Sequence, residues 1–311
     1  MQIYLSTWCL KEKIQKENLY LEDLPELANG HGFSGIEIMD RQIPGFSAAY
    51  LTVLRDMSQK CECGLILDVS SDLTHAREDD WLNQINYVFK MLEVAKQLAA
   101  RKVRILLGGQ DFSFQKLFKK FGQSHAEAEN QSQKDTFAKH FIDKLVTNKF
   151  AIQLSHAIRK KRKTSIHNES FKIQRAIGAL QKIVPKAELL QIPLVIENHW
   201  GISCRPENIL QIIRAINSPY LGTCPDFDNF PKEVNSYEAL RALAPKALHV
   251  HAKSKAFTKN GEEKHMNYQR CLKILQECGY HGTVTIEYEG RGDALAGCFK
   301  TRDLILKYWD A

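Results

Sequence analysis

Short apolar runs rich in β-branched residues alternate along this chain with longer segments in which apolar residues recur at helical spacing. That alternation is the pattern of repeated strand–helix units and a parallel sheet. The strand-like runs are Gln2–Ser6, Gly35–Met39, Gly64–Val69, Lys102–Leu107, Leu194–Glu197, Tyr220–Cys224, Ala247–His251 and Thr283–Glu287. The helical segments are Leu21–Asn29, Ser47–Lys60, Trp81–Ala100, Phe171–Leu190, Pro206–Ile216, Ser236–Ala244, Tyr268–Cys278 and Thr301–Trp309. Eight strands each followed by a helix predict an α/β fold, a single (β/α)8 TIM barrel over residues 1–311. An open doubly wound sheet would carry a glycine-rich phosphate turn after its first strand, where this chain reads Ser6-Thr7-Trp8-Cys9.

The fourth connection breaks the rhythm. About 60 residues, from Gly108 to Asn168, precede the helix that leads to strand five, which predicts an inserted helical and loop segment over 110–168, with a helical stretch at Lys134–Asn148. A lid, a contact in a homo-oligomer and simple packing all suit it. Pro185, inside the following helix, is expected to kink or locally break it.

With 44% hydrophobic and 25% charged residues the chain has the composition of a soluble globular protein with a sizeable core. It shows no apolar run of bilayer length and no basic-then-apolar leader, so a cytoplasmic protein without a membrane partner is expected. The eight cysteines lie scattered and are read as free thiols; Cys61-Glu62-Cys63 lacks a second pair to complete a zinc site. The net charge of +7 owes much to Arg159-Lys160-Lys161-Arg162-Lys163. No aromatic residue is interleaved there to stack on bases, so the run reads as a solvated face, and nucleic acid is not the expected partner.

Catalytic groups of such a barrel sit where its strands end at the C-terminal mouth. Strand five closes on Glu197, strand six runs into Asp226, strand seven carries His249 and His251 on one face, and strand eight closes on Glu287 with Glu289 beyond it. An acid ending an apolar strand is costly unless it is paired or binds metal. Glu197, Asp226, His251 and Glu287 together form an oxygen-rich set with one nitrogen, suited to one divalent ion, Mn²⁺, Mg²⁺ or Co²⁺ ahead of Zn²⁺. Glu37, ending strand two, faces the pocket or pairs with a barrel Lys or Arg, pairing being favoured.

The chain resembles the sugar phosphate isomerase/epimerase superfamily of xylose isomerase-like barrels, related to ketose 3-epimerases, inosose dehydratases and apurinic-site endonucleases. The resemblance is carried by Phe33-Ser34-Gly35-Ile36-Glu37, by Val195-Ile196-Glu197-Asn198-His199, by the stretch Gly222 to Phe230 with Cys224-Pro225-Asp226-Phe227-Asp228-Asn229, by Leu248 to Ser254, and by Cys278 to Gly290. It implies that Glu197, Asp226, His251 and Glu287 ligate the metal, and that Glu197 and Glu287 act as acid/base groups on opposite faces of a small-molecule sugar. The implied reaction is proton abstraction next to a metal-bound ketose carbonyl, through an enediolate, followed by reprotonation. His199, Asn229 and Lys253 take positions suited to substrate oxygens, and Trp8 and Trp200 to its apolar face. The place of Asn229 is often a histidine in related epimerases, which leaves the sugar open.

Two alternatives accompany this reading. A keto-polyol dehydratase would share the first proton abstraction and then expel a hydroxyl. An apurinic-site endonuclease would need three zinc ions and histidines at the ends of strands three and four, where the chain has Asp68-Val69-Ser70 and Leu107-Gly108. Glu263-Lys264-His265 does match the acid-x-His pair of such nucleases.

Overall fold

The computed structural model describes residues 1–16, 19–108 and 148–309, with side chains from 168 onward in the last segment. Eight strands form one parallel sheet: β1 (Gln2–Ser6), β2 (Gly35–Met39), β3 (Gly64–Val69), β4 (Val103–Ile105), β5 (Leu194–Glu197), β6 (Leu221–Cys224), β7 (His249–Ser254) and β8 (Thr283–Tyr288). Their order runs from β6 down through β5, β4, β3 and β2 to β1, then to β8 and β7. Isolated parallel bridges, Thr223 to Ala247 and Asp226 to His251, bring β6 and β7 together at the remaining seam. The result is the nearly closed barrel expected from the sequence.

The strands read as apolar runs because both faces are covered, one by the barrel interior and the other by helices. Ile36, Ile38, Leu65, Leu67, Val103, Ile105, Leu194, Ile196, Val250, Val284 and Ile286 are all buried. Gly222 sits where β7 comes nearest to β6. A Cβ there would fall 2.4 Å from the Leu248 side chain and 2.9 Å from the Lys246 carbonyl, so only glycine lets the seam draw together.

The helices between strands are α1 (Lys11–Lys16), α2 (Leu24–Gly30), α3 (Ala48–Lys60), α4 (Glu78–Gln97), α5 (Asn148–Leu190), α6 (Pro206–Ile216), α7 (Ser236–Leu243), α8 (Tyr268–Glu277) and α9 (Ala294–Trp309). Their ends follow local chemistry. In α6, Pro206 opens the first turn, Ile209, Ile212 and Ile213 fall on one buried face, and Asn217 stops the helix at φ 50°. The Asn235 and Asn267 side chains cap α7 and α8 by accepting from backbone N–H groups in their first turns.

The expected break at Pro185 does not occur, since α5 runs uninterrupted from Asn148 to Leu190 with the proline inside it. The chain divides into two compact units, Met1–Gly109 with Arg175–Ala311, which holds all eight strands, and Gln110–Gln174. Of the expected insertion over 110–168, residues 110–147 lie outside the described residues, as does nearly all of Lys134–Asn148. The backbone from Asn148 is helical and includes the basic run at 159–163, whose side chains are not described. All eight cysteines are free thiols, as read from the sequence.

Candidate metal centre

Each of the four candidate ligands is placed by the strand ladder. Glu197 is the last residue of β5 and Glu287 the last but one of β8. The expected end of β7 at His251 is too early; the strand continues to Ser254, so Lys253 shares the face of His249 and His251. Asp226 lies two residues past β6 yet stays in register, because the His251 N–H donates to the Pro225 carbonyl and the Phe227 N–H to the His251 carbonyl. Asn198 completes the hold. Its amide oxygen accepts from the Asp226 N–H at 2.6 Å and its amide nitrogen donates to the Asp226 carbonyl at 3.1 Å, so a buried side chain stands in for a missing strand partner.

The four side chains thereby converge, with one donor atom of each lying within 4.8 Å of the others, and all four are buried. Among the described residues, Glu197 Oε2, Asp226 Oδ2 and His251 Nδ1 make no hydrogen bond and have ion-pair neighbours alone: Arg104 at 2.9 Å from the first, Lys253 at 3.7 Å from the second and two carboxylates within 3.4 Å of the third. Buried polar atoms are almost always satisfied, and three carboxylates and an imidazole left with ion pairs alone could hold a cation among them. His251 Nδ1 lies 3.4 Å from Glu197 Oε1 and 3.3 Å from Glu287 Oε1, while its Nε2 is 3.0 Å from Glu37 Oε1. Glu37 also meets His249 Nε2 at 2.8 Å and Arg104 Nε at 3.6 Å. Pairing is therefore its role, as favoured, but with both histidines at shorter range than the arginine.

Charge bookkeeping points the same way. Glu37, Asp68, Glu197, Asp226 and Glu287 are buried acids, whereas Arg104 and Lys253 are the buried strong bases around them. Arg104 bonds Asp68 and reaches Glu197 Oε2 at 2.9 Å. Lys253 Nζ lies 3.2 Å from Glu287, 3.4 Å from Glu289 and 3.7 Å from Asp226. With these acids ionised and His251 neutral, as a metal ligand would be, five negative charges would face two positive ones, a deficit that a divalent cation would supply.

The protonation states follow. Burial raises Asp226 to about 7, Lys253 easing the rise and Glu287 and Glu197 adding to it. Burial would likewise raise Glu287 and Glu197, yet His251 and Lys253 for the first, and Arg104 and His251 for the second, hold both below the usual carboxylate range. Burial works against a charged His251, but Cys224 and the carboxylates of Glu37, Glu287 and Glu197 hold it well above the usual histidine range. His249 is pushed down to about 4 by burial and stays neutral.

The remaining candidates stand around this centre. Asn229 Nδ2 donates to Glu197 Oε1 at 2.9 Å, and Lys253 Nζ donates to Asn229 Oδ1 at 2.8 Å. His199 is lowered by burial, and Trp200 stands edge-on to its ring at 4.1 Å. Trp8 Nε1 donates to Glu289 Oε1 at 3.0 Å, and Lys11 Nζ sits 3.4 Å above the Trp8 ring. Neither tryptophan is a core residue: Trp200 is 40% exposed.

Arg104, Asp68 and Asn198 were not singled out from the sequence. The signal for the first two is a charge inside an apolar strand, Val103-Arg104-Ile105 and Ile66-Leu67-Asp68-Val69. Glu263, which had favoured a nuclease, has a different function: its carboxylate accepts from the backbone N–H groups of Lys255, Ala256, His265 and Met266, and so holds the loop after β7.

Comparison with known proteins agrees with this architecture. Within curated proteins, the chain is 24% identical over 135 residues to 3-oxo-isoapionate decarboxylase of Pectobacterium atrosepticum, 43% of this chain and 46% of that one. It spans less than half the length of the curated relatives it matches. Among solved structures, D-psicose 3-epimerase with D-tagatose from Clostridium cellulolyticum H10 superposes with a TM-score of 0.68 at 10% identity, over 99% of each chain. The IOLI protein, solved with a bound zinc atom, gives 0.67 at 16% identity over 100% of each chain. At such identities these structures show a shared fold. A family model described as xylose isomerase-like TIM barrel matches residues 149–306, half of the chain. The chain belongs to the xylose isomerase-like TIM barrel family.

Proposed function

We propose that this protein is a divalent-metal-dependent isomerase or epimerase of a sugar-derived ketose. The observation that carries the reading is the convergence of Glu197, Asp226, His251 and Glu287 at the C-terminal mouth, one ligand atom of each within 4.8 Å of the others and all four buried. These four residues would hold the ion; Mn²⁺, Mg²⁺ and Co²⁺ suit three carboxylates and one imidazole, and Zn²⁺ belongs in the same panel. When bound, a divalent cation makes the C–H beside a ketose carbonyl more acidic.

The proton work falls to Glu197 and Glu287. Both are held ionised, so either can accept the proton, and they approach from strands on different sides of the centre. Lys253, beside Glu287, offsets charge and donates to a substrate oxygen. Asn229 fixes Glu197 Oε1, and neutral His199 offers a ring nitrogen to a hydroxyl. A proton returned to the same carbon from the other face inverts it, which is epimerisation. A proton returned to the neighbouring carbon gives aldose–ketose isomerisation. Trp8 and Trp200 would cover the apolar face of the sugar.

The test combines metal analysis of the purified protein with solvent deuterium exchange into a panel of ketoses. One equivalent of divalent metal and exchange at the carbon beside the carbonyl are expected, and Glu287→Gln should lose about 10²–10⁴-fold in exchange rate, the span of general acid–base catalysis. Products lighter by one water would reassign the reaction as dehydration. Absence of metal binding, or full exchange by Glu287→Gln, would overturn the proposal.

A further inference from the structure

Beside the metal centre lies a cavity of about 710 Å³, walled by residues 9–13 after β1 and by residues 288–294 after β8. None of the residues assigned above to metal or substrate lines it. It is nonetheless one side chain away from them, because Glu289 lines the cavity, accepts from Trp8 at 3.0 Å and pairs at 3.4 Å with Lys253, which itself lies 3.2 Å from Glu287. Glu289 thus belongs both to the cavity lining and to the chain of polar contacts that leads through Lys253 to Glu287.

Size and charge then narrow the occupant. Ligand pockets for whole drug-sized molecules span roughly 300–1,000 Å³, so this space alone takes a group at least as large as a sugar ring. Its charged lining is Lys11, Lys13 and Arg291 against Glu12, Glu289 and Asp293, which cancels. Several of these charges already have partners: Lys13 lies 3.4 Å from Asp293, Glu12 lies 3.2 Å from Lys16, and Glu289 pairs with Lys253. A phosphate would be forced against three carboxylates. Hydroxyl groups both donate and accept, and so can meet carboxylates and cations in one cavity.

The geometry points to a substrate in which the ketose carries a second polyhydroxylated unit, a keto-glycoside, with the attached unit held in this cavity by Lys11 and Arg291. This assignment rests on the reaction proposed above and names its substrate class.

The experiment compares D-fructose, D-fructose 6-phosphate and the ketose disaccharides lactulose and isomaltulose on Mn²⁺-loaded protein, by binding calorimetry and by deuterium exchange. Two or three hydrogen bonds in the cavity predict that at least one disaccharide binds about tenfold more tightly than D-fructose. Arg291→Ala and Lys11→Ala should weaken disaccharide binding at least about fivefold more than that of D-fructose, again on the order of one hydrogen bond. D-fructose or its phosphate binding as tightly as both disaccharides, or both variants weakening all sugars alike, would overturn the inference while exchange with D-fructose upheld the reaction. Preferential disaccharide binding with no exchange in any sugar would uphold the cavity's role and defeat the reaction. Absence of binding by all four sugars would count against both.

Discussion

The two halves of the barrel bury acid in different ways. On the side of β2, β3 and β4, Glu37 is bonded to His249 and His251 and faces Arg104, and Asp68 is paired with Arg104. On the side of β5 to β8, Glu197, Asp226 and Glu287 converge with His251 around a shared point, with Arg104 beside the first and Lys253 beside the other two. Carboxylates on the first side are tied to fixed cations and imidazoles, as structural charge must be. Those on the second side also repel one another, which adds to the rise of Asp226 despite Lys253, and a divalent cation would join them. The contrast separates support from ligand more sharply than burial does, since both groups are buried.

Arg104 is where the halves meet, and removing it should have the largest effect. Its guanidinium touches Asp68, Glu37 and Glu197, carboxylates of three strands, and it is 5% exposed. Arg104→Met keeps much of the volume but leaves buried carboxylates without their cation, a change that costs about 3–5 kcal/mol when a buried pair is broken on one side. Urea denaturation of the metal-free variant against the parent measures it. A loss below about 1 kcal/mol would mean that water or protonation of Asp68, which burial already pushes upward, replaces the arginine at little cost.

Glu37→Gln asks a narrower question. Glu37 receives the Nε2 side of His251 and leaves Nδ1 directed at Glu197 and Glu287, so it sets both the tautomer and the ring angle of the ligand. A glutamine cannot accept from two imidazoles with both of its terminal atoms. Outer carboxylates of this kind are worth about 10–100-fold in metal affinity, and that loss is expected in a titration with Mn²⁺, with folding stability less affected than by Arg104→Met. Unchanged affinity would place Glu37 among purely structural charges.

How legible each half was in the sequence follows from the same difference. Glu197, Asp226 and Glu287 come just after or at the close of apolar runs, so the mouth of the barrel could be read by finding where each run stops. Arg104 and Asp68 interrupt runs in mid-strand, and a lone charge there points outward to a helix or inward to the barrel with equal ease. Only the closed ladder, which sets Arg104 opposite Asp68 on one side and Val195 on the other, resolves the direction. The end of β7 was missed because Lys253 reads as polar punctuation, whereas ion pairing with Glu287 and Asp226 lets it be buried in the strand. Helix α4 starts at Glu78, three residues before the apolar periodicity, because Glu78, Asp79 and Asp80 suit the positive end of a helix dipole. Asn198 was invisible as a clamp, since nothing local says that Asp226, 28 residues on, lies beyond the β5–β6 ladder, which ends at Glu197 and Cys224.

The most diagnostic expected effect is the pH dependence of metal binding. A proton on a ligand excludes the ion, so affinity must rise with pH while any ligand remains protonated in the metal-free protein. Glu197 and Glu287 are held low and release nothing between pH 5 and 8. His251 is held above the usual histidine range by the acids around it, and contributes a released proton where it is still cationic. Asp226, raised to about 7 by burial, contributes a second only below that point. Affinity should therefore climb more steeply with pH below pH 7, where Asp226 also holds a proton, than above it. Calorimetric titration with Mn²⁺ in buffers of differing ionisation enthalpy reads the released protons directly. A slope that does not change near pH 7 would show that Asp226 is already ionised, and that the acids of β5 to β8 are neutralised by Lys253 as completely as those of β2 to β4 are by Arg104.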